Sequence, residues 1–385
     1  MIPYGRQWID DADIQAVIET LRSDWLTQGP AVGKLEAAFA DLCRVPHAVA
    51  VNSATSALHI ACLAIGAGPG DVVWTVPNTF VASANCARLC GAEVDFVDID
   101  PRTYNISVPA LAQKLRGAKA AGRLPKAVIP VHFSGRAPDQ DAIWALAKDY
   151  GFRVIEDASH SVGATHGGEP IGSCRWSDIA VFSFHPVKIV TTAEGGLATT
   201  RDPALADRMA RLRTHGITKD EKLLTNQDEG GWYYEQIELG LNYRLTDMQA
   251  ALGLSQLRRL EQFLRRRREL VGRYERLLQD LPVTRPLIDV LNDSAWHLYV
   301  IRIDPKRAGK TRRQVYDAMR AAGIGVQVHY IPVHLQPYYR ALGFNPGHCP
   351  EAERYSEEAL SLPLYPAMSE ADQDAVVAAL RAAMR

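Results

Sequence analysis

The chain has 385 residues, of which 47% are hydrophobic and 23% are charged, and its formal net charge at pH 7 is −1. A chain of this length can bury a large core and is expected to form two domains. The nearly balanced charge gives no electrostatic case for binding nucleic acid or an anionic membrane. The four arginines at 265–268 are a local exception, which we interpret as a solvated face of a long helix.

The sequence also bears on compartment and metal binding. No N-terminal segment has the pattern of a signal peptide, and no apolar stretch approaches the ~18–20 residues of a membrane span. The six cysteines are scattered, and Cys86 and Cys90 have no second pair beside them. We therefore expect a cytoplasmic protein with reduced core cysteines and no metal site.

The first 46 residues predict two helices joined by a polar turn. One helix covers about 10–22 and begins at Asp10 or Asp11, and the other covers about 31–42. The segment 23–30 between them contains Trp25 but is too polar for a core, so we interpret it as a lid or access loop.

Short apolar runs then alternate with helical stretches. The predicted strands cover 48–51, 72–76, 94–97, 127–131, 153–155, 179–184 and 197–200, and the predicted helices cover 54–65, 79–89, 108–115, 139–150 and 202–214. This alternation predicts an α/β fold with a mostly parallel sheet flanked by helices. Such sheets bind ligands in the loops that follow the carboxyl ends of their strands.

The rest of the chain predicts a connection and a second domain. The polar region 219–239 is predicted as a long loop, and 246–281 as one long helix that ends before Pro282 and Pro286. We therefore expect a large domain over 1–281 and a smaller α+β domain over 282–385. Its predicted strands cover 297–303 and 325–328, and its predicted helices cover 311–322 and 369–384.

The first candidate loop is Asn52-Ser-Ala-Thr-Ser56, between a strand and a helix. Backbone N–H groups at a helix start, together with the helix dipole, favour an anion, so Ala54, Thr55 and Ser56 could hold a phosphate group. An ordinary helix cap by Ser53 or Thr55 explains the loop equally well.

Two further strand ends carry an aromatic ring and a carboxylate. Phe80 could stack on a planar heterocycle, although by itself it is more typical of a core residue. Asp157 follows a buried strand and could pair with a protonated pyridine nitrogen, and His160 could reach a phenolic oxygen on the same ring. A helix cap and a surface histidine are the plain alternatives for these two residues.

The fourth strand end carries Ser183 and Lys188. Ser183 could donate a second hydrogen bond to a phosphate. Lys188 is flanked by Val187, Ile189 and Val190, and apolar surroundings favour the neutral, nucleophilic amine, which can form a Schiff base with a carbonyl. A surface lysine is the alternative. A phosphate loop, an aromatic ring, an aspartate and a lysine in this order are typical of the large domain of fold-type-I enzymes that use pyridoxal 5′-phosphate (PLP).

These motifs make the chain similar to sugar-nucleotide aminotransferases of the DegT/DnrJ type. The resemblance spans essentially the whole chain and is carried by Glu156-Asp-Ala-Ser-His160, Phe182-Ser-Phe-His185, Thr191-Thr-Ala-Glu-Gly-Gly196 and Leu241-Asn-Tyr-Arg-Leu-Thr-Asp-Met-Gln-Ala250. It implies a PLP cofactor, Lys188 and Asp157 as catalytic residues, and a homodimer in which Asn242 reaches the phosphate of the neighbouring subunit's PLP.

Further motifs resemble the transaminase branch of pseudaminic acid biosynthesis, among them Gly240-Leu-Asn-Tyr-Arg244 and Val328-His-Tyr-Ile-Pro332. That branch converts a 4-keto UDP-sugar into UDP-4-amino-4,6-dideoxy-N-acetyl-β-L-altrosamine, with L-glutamate as the amino donor. The resemblance implies a set of substrate contacts from Tyr4, Asp24, Trp25, Leu26, Thr27, Ala54, His185, His329, Tyr330, Ile331 and Pro332. Perosamine synthases and the 4-amino-4-deoxy-L-arabinose transaminase share the PLP motifs, so another 4-keto sugar nucleotide is the alternative substrate.

Three other functions are weighed against this one. Some relatives replace the Schiff-base lysine by histidine and are dehydratases, whereas this chain has Lys188. A PLP-binding regulator without turnover would keep the same motifs. A nicotinamide-dependent enzyme is disfavoured, because the first strand–helix turn has no Gly-x-Gly-x-x-Gly pattern.

Overall fold

The computed structural model describes residues 1–226, 229–288 and 292–385. The helices in this part of the chain are α1 (Asp11–Leu21), α2 (Pro30–Cys43), α3 (Ala54–Ala64), α4 (Ala82–Leu89), α5 (Val108–Ala120), α6 (Gln140–Tyr150), α7 (Pro203–Leu212), α8 (Asp247–Leu257), α9 (Leu260–Leu277), α10 (Pro305–Ala308), α11 (Arg312–Ala321), α12 (Pro337–Ala341), α13 (Pro350–Glu358) and α14 (Glu370–Ala383). The strands are β1 (His47–Val51), β2 (Val72–Thr75), β3 (Glu93–Phe96), β4 (Ala127–Ile129), β5 (Arg153–Asp157), β6 (Thr165–His166), β7 (Glu169–Pro170), β8 (Ile179–Ser183), β9 (Gly196–Thr200), β10 (Ile217–Thr218), β11 (Glu235–Gln236), β12 (Asn292–Asp293), β13 (Tyr299–Arg302) and β14 (Ala359–Leu362).

A mixed sheet of seven described strands forms the centre of the chain, in the order β1-β9-β8-β5-β4-β2-β3. Strand β9 runs antiparallel to both of its neighbours, β1 and β8, and the remaining pairs are parallel. The predicted α/β fold with a mostly parallel sheet is therefore confirmed.

Helices cover both faces of this sheet, as β8 illustrates. Ile179 and Val181 pack into one apolar cluster, which includes α3, α4 and α5. Ala180 and Phe182 point to the other cluster, which contains α2 and the first half of α9. Since alternate residues of a strand face opposite sides, a strand with five buried residues belongs in the middle of such a sheet.

The predicted start of the first helix is confirmed in detail. Asp10 is the N-cap of α1, and its side chain accepts a hydrogen bond from the N–H of Asp13 while the side chain of Asp13 accepts one from the N–H of Asp10. This reciprocal cap satisfies two N–H groups that the helix itself leaves without partners.

The predicted long helix over 246–281 is wrong as a single element, because it breaks between α8 and α9. Arg259 leaves helical geometry (φ −105°, ψ 6°). Its guanidinium bonds the carboxylates of Asp10 and Asp13 and the carbonyl oxygen of Trp8. The break lets α8 pack on α1 and α2 while α9 runs on toward the second domain.

Two smaller predictions also need correction. The segment 325–328 is not a strand, since it makes one isolated bridge, between Gln327 and Ser361. The region 219–239, of which 227 and 228 lie outside the described residues, is not entirely loop, because β11 pairs with β10.

The C-terminal part has its own apolar core around the antiparallel strand pair β13–β14, α11 and α14. Leu270, Val271, Tyr274 and Leu278 of the second half of α9 belong to the same core, so α9 is shared between the two parts of the chain. The predicted domain boundary at 281 stays a prediction.

The arginine run is not simply a solvated face, because Arg267 is buried. Its Nη1 donates hydrogen bonds to the carbonyl oxygens of Trp296, His297 and Leu364, which replace water around the charge. Burial lowers the pKa of Arg267 to about 9.

Among the described helices, none is long and apolar enough to cross a membrane. The six cysteines are all free thiols.

Candidate active site

A cavity of about 980 Å³ opens at the carboxyl ends of β2, β5 and β8. This is the edge where the sequence predicted a ligand. Predicted site residues that line it are Tyr4, Ala54, Thr55, Ser56, Phe80, Asp157, His160, Ser183, His185, Lys188, His329 and Tyr330. The fold thus brings together side chains from the N-terminus, four strand-end loops and the C-terminal part.

Lys188 lies in the turn that follows β8, where its N–H donates to the carbonyl oxygen of His185 at 2.9 Å. Its neighbours Ile189 and Val190 are buried. Burial lowers the pKa of Lys188 to about 8, and the negative charge of Asp157 acts in the opposite direction without cancelling this effect. A much larger fraction of this amine than of an ordinary lysine is therefore unprotonated near neutral pH, as a nucleophile or proton acceptor requires.

Asp157 ends β5 and is buried, and both of its carboxylate oxygens have a donor. The hydroxyl of Ser83 donates to Oδ2 at 2.6 Å, and the N–H of Ser159 donates to Oδ1 at 3.1 Å. Asp157 therefore presents a fixed negative charge to the cavity.

The start of α3 also lines the cavity. Ser53 is the N-cap, and its Oγ accepts the N–H of Ser56, whose own hydroxyl donates to Asn52 Oδ1 at 2.6 Å. The helix cap by Ser53, which was the alternative explanation of this loop, is thus present, and it engages the N–H of Ser56. The N–H groups of Ala54 and Thr55 have no carbonyl within the helix to bond, which leaves them for an anion.

Strand β9 lies against this helix start, and Gly196 makes the approach possible. A Cβ on Gly196 would lie 2.4 Å from the backbone nitrogen of Ala54. Ser183 is the residue paired with Gly196 across β8 and β9, so its side chain reaches the same end of the cavity.

Phe80 lines the cavity and is 60% exposed, which rules out the core placement that its sequence context favoured. A large aromatic side chain that remains exposed at a cavity wall is available to stack on a ligand.

His160 lies on a wall of aromatic side chains. Its ring centroid is 4.3 Å from that of His297, and its Nε2 is 3.3 Å from the hydroxyl of Tyr330. Burial, together with the charge of Lys188, places the pKa of His160 well below its ordinary value, so its imidazole is neutral. The surface placement that was the alternative for His160 is therefore wrong.

His329 and Tyr4 form the side of the cavity that belongs to the C-terminal and N-terminal segments. Their ring centroids are 5.4 Å apart. The Nδ1 of His329 is 2.8 Å from the hydroxyl of Ser361, and burial lowers the pKa of His329 to about 3. His185 is exposed at the cavity, next to the turn of Lys188.

Seven predicted site residues are not among those that line the cavity. Asp24, Trp25, Leu26 and Thr27 are exposed on the loop after α1, and this loop pairs with the start of α8 through Thr27 and Thr246. Asn242 is exposed on the segment before α8, Ile331 is exposed, and Pro332 is buried behind the wall.

The arrangement fits PLP. Asp157 offers a buried carboxylate for a protonated ring nitrogen, Lys188 offers a largely enclosed amine, and the start of α3 offers two N–H groups for a phosphate. Among the described residues, no group of three or more histidine, cysteine, aspartate or glutamate side chains could hold a metal ion.

Sequence reasoning missed several residues of the cavity wall. Ser83, 74 positions from Asp157, bonds its carboxylate, and His297 packs against His160. Gln249 and Glu194 also line the cavity, and Gln249 Nε2 donates to the carbonyl oxygen of Glu194 at 2.8 Å. No local pattern marks these contacts, because each joins segments far apart in the chain.

Comparisons with known proteins agree with this site. The model of the DegT/DnrJ/EryC1/StrS aminotransferase family matches residues 7–381. The spore coat polysaccharide biosynthesis protein SpsC of Bacillus subtilis is 43% identical over 383 residues, which cover 99% of this chain and 96% of that protein.

Two solved structures are similar over the full length. Helicobacter pylori PseC, described as an aminotransferase involved in the biosynthesis of pseudoaminic acid, has a TM-score of 0.90 and 30% identity, covering 100% of this chain and 99% of that one. Spr1654 of Streptococcus pneumoniae, solved in a PMP form, has a TM-score of 0.89 and 30% identity, covering 100% of this chain and 99% of that one.

Proposed function

Because the chain belongs to the DegT/DnrJ/EryC1/StrS aminotransferase family, and is therefore a PLP-dependent transaminase, we propose a specific reaction for it. It transfers the amino group of L-glutamate to C4 of UDP-2-acetamido-2,6-dideoxy-β-L-arabino-hexos-4-ulose, a 4-keto-6-deoxy UDP-N-acetyl sugar. The product is the 4-amino sugar nucleotide of pseudaminic acid biosynthesis.

The observation that carries the reaction is the placement of Lys188 and Asp157 at adjacent strand ends of one cavity. Bound PLP supplies an electron sink for the charge that develops at the amino-bearing carbon. Lys188 anchors the cofactor and then, as a free amine, takes the proton from Cα of glutamate. Asp157 holds a proton on the pyridine nitrogen.

We assign the remaining cofactor contacts to other residues that line the cavity. Ala54, Thr55, Ser56 and Ser183 line the cavity and would hold the phosphate; Phe80 would stack on the ring, and His160 would hydrogen-bond its phenolic oxygen. Since Ser56 uses its N–H in the helix cap, its part is to hold Asn52 and Ser53 in place. Asn242 is exposed outside this cavity, which suits a role at the phosphate of a second copy in a homodimer.

The substrate contacts divide in the same way. Tyr4, Ala54, His185, His329 and Tyr330 line the cavity of their own chain and face the sugar nucleotide or glutamate. We assign the exposed loop with Asp24, Trp25, Leu26 and Thr27 to the site of the second copy or to its opening, and Ile331 and Pro332 to the support of Tyr330.

The likeness to PseC, at 30% identity over the whole chain, supports the choice of sugar. A second candidate is another 4-keto sugar nucleotide that provides an amino sugar for a polysaccharide. The 43% identity to SpsC, whose name refers to spore coat polysaccharide biosynthesis, favours that candidate.

An amine-transfer assay separates the two. The purified chain with PLP and L-glutamate is given a panel of 4-keto sugar nucleotides that includes the UDP-arabino-hexosulose and a perosamine precursor, and products are detected by mass. We expect the UDP sugar to gain an amine with the highest kcat/KM. Turnover of another panel member in its place would reject the proposed sugar and keep the reaction.

The absorption spectrum of the PLP-loaded chain distinguishes an enzyme from a cofactor-binding regulator. We expect the band of lysine-bound cofactor to disappear when glutamate is added. A band that glutamate leaves unchanged would reject transamination from glutamate.

A further inference from the structure

Ser83 lies in the first turn of α4 and has a fully buried side chain. Its Oγ is 2.6 Å from Oδ2 of Asp157 and 2.8 Å from the hydroxyl of Thr79. The mechanism above gives Ser83 no part, although it touches the carboxylate on which the cofactor's ring nitrogen depends.

The direction of these hydrogen bonds follows from the number of protons that the three side chains can donate. An ionised carboxylate only accepts, so the single hydroxyl proton of Ser83 goes to Asp157. The Thr79 hydroxyl then donates to Ser83 Oγ. The carbonyl oxygen of Phe80, the ordinary partner of a helical serine, is 3.4 Å from Ser83 Oγ and is the weaker acceptor.

The hydrogen bonds from Thr79 to Ser83 and from Ser83 to Asp157 therefore point in the same direction, and each bond polarises the next. Because Ser83 and the N–H of Ser159 each hold one carboxylate oxygen, Asp157 cannot rotate without losing a hydrogen bond. Ser83 reaches Asp157 past the end of β4, the strand between β2 and β5.

We propose that Ser83 is a positioning residue that orients the Asp157 carboxylate and stabilises its charge for the ring nitrogen of PLP. This inference rests on the proposed role of Asp157. Ser83 acts through Asp157 and does not itself touch the cofactor.

The substitution Ser83→Ala tests the inference in binding as well as in turnover. The dissociation constant of PLP is measured for the cofactor-free chain, and again for a PLP analogue with carbon in place of the ring nitrogen. Since a hydrogen bond to a charged group is lost, we expect Ser83→Ala to weaken PLP binding by about tenfold. Binding of the analogue should change less than about twofold, because it offers Asp157 no N–H.

Three further variants complete the design. Ser83→Thr keeps the hydroxyl and should restore most of the PLP affinity. In an Asp157→Asn background, Ser83→Ala should have little further effect, since the two residues act as one unit. Ser255→Ala, a buried serine in α8 away from the cavity, is the matched control and should leave both affinities unchanged.

The outcomes are distinct. Equal loss of affinity for PLP and for the analogue would mean that Ser83 only packs α4, and unchanged PLP affinity would mean that Asp157 needs no support; either result rejects the inference and leaves the proposed function intact. A wild-type chain that binds PLP and its analogue equally would instead remove the role of Asp157, and Ser83 would lose its role with it.

Discussion

At the scale of single residues, Lys188 shows how its surroundings decide its chemistry. The charge of Asp157 by itself would raise the pKa of the amine, but burial dominates and the pKa falls to about 8. Because the protonated form loses more by leaving water than it gains from one carboxylate, the nucleophilic form becomes available near neutral pH.

This pKa predicts a pH profile for cofactor attachment. The rate at which the cofactor-free chain attaches PLP should rise with pH and reach half its maximum near pH 8, because only the unprotonated amine attacks. Stopped-flow absorbance measures the rate, with free Nα-acetyl-lysine as the reference. A midpoint above pH 10, as in that reference, would contradict the burial of the amine.

Phe80 gives a second prediction at this scale. Since its ring is 60% exposed, Phe80→Ala should change the free energy of unfolding of the cofactor-free chain by less than about 0.5 kcal/mol. Loss of a stacked ring should raise the Kd of PLP roughly three- to tenfold.

Phe184→Ala is the matched control for Phe80. That ring is buried, so its removal should cost about 3–5 kcal/mol of stability in chemical denaturation. If Phe80→Ala destabilised the chain as much as Phe184→Ala, Phe80 would be a core residue after all.

At the scale of elements, the contact between β9 and the start of α3 shapes the anion site. The backbone angles at position 196 do not require glycine. Glycine is required there because a Cβ would collide with the backbone of Ser53 and Ala54. A backbone neighbour cannot move aside as a side chain can, so the contact fixes how closely the sheet approaches the helix.

Gly196→Ala should therefore push β9 away from α3. We expect a loss of about 1–3 kcal/mol in the free energy of unfolding. Relative to wild type, the affinity for PLP should fall more than the affinity for pyridoxal, which has no phosphate. Gly33→Ala is the control: Gly33 lies in α2 with nothing near its added Cβ, and alanine should stabilise the helix by up to about 1 kcal/mol. Equal effects of the two substitutions would contradict the steric explanation.

At the scale of the whole molecule, the cavity joins segments from both ends of the chain. Buried Arg267 holds two C-terminal segments to α9, because its guanidinium bonds the carbonyl oxygens of Trp296, His297 and Leu364. His297 packs in turn on His160, so Arg267 of α9 supports the aromatic side chains that line this part of the cavity.

The proposed homodimer predicts complementation between two inactive variants. Lys188→Ala and Asn242→Ala should each lose most activity. If Asn242 serves the second copy, a mixed dimer has one intact site, and a refolded equal mixture should recover about a quarter of wild-type activity. The assay is amine transfer after co-refolding, with separately refolded and then combined variants as the control. No recovery would place Asn242 in its own chain's site.

Much of the fold could be predicted from the sequence, because local patterns carry it. The apolar runs predicted where the central strands lie along the chain, and the strand-end loops indicated Lys188, Asp157 and the start of α3, which do meet at one cavity. The long helix over 246–281 failed for a tertiary reason: the break serves the ion pairs of Arg259 with α1.

The α/β architecture could be predicted from local sequence, since it follows from apolar periodicity along the chain. Four features could not be predicted in this way: Ser83 bonds Asp157, Phe80 is exposed, Arg267 is buried and His297 packs on His160. These features depend on how distant segments pack against one another, and burial, which sets the pKa of Lys188, exists only once they have packed.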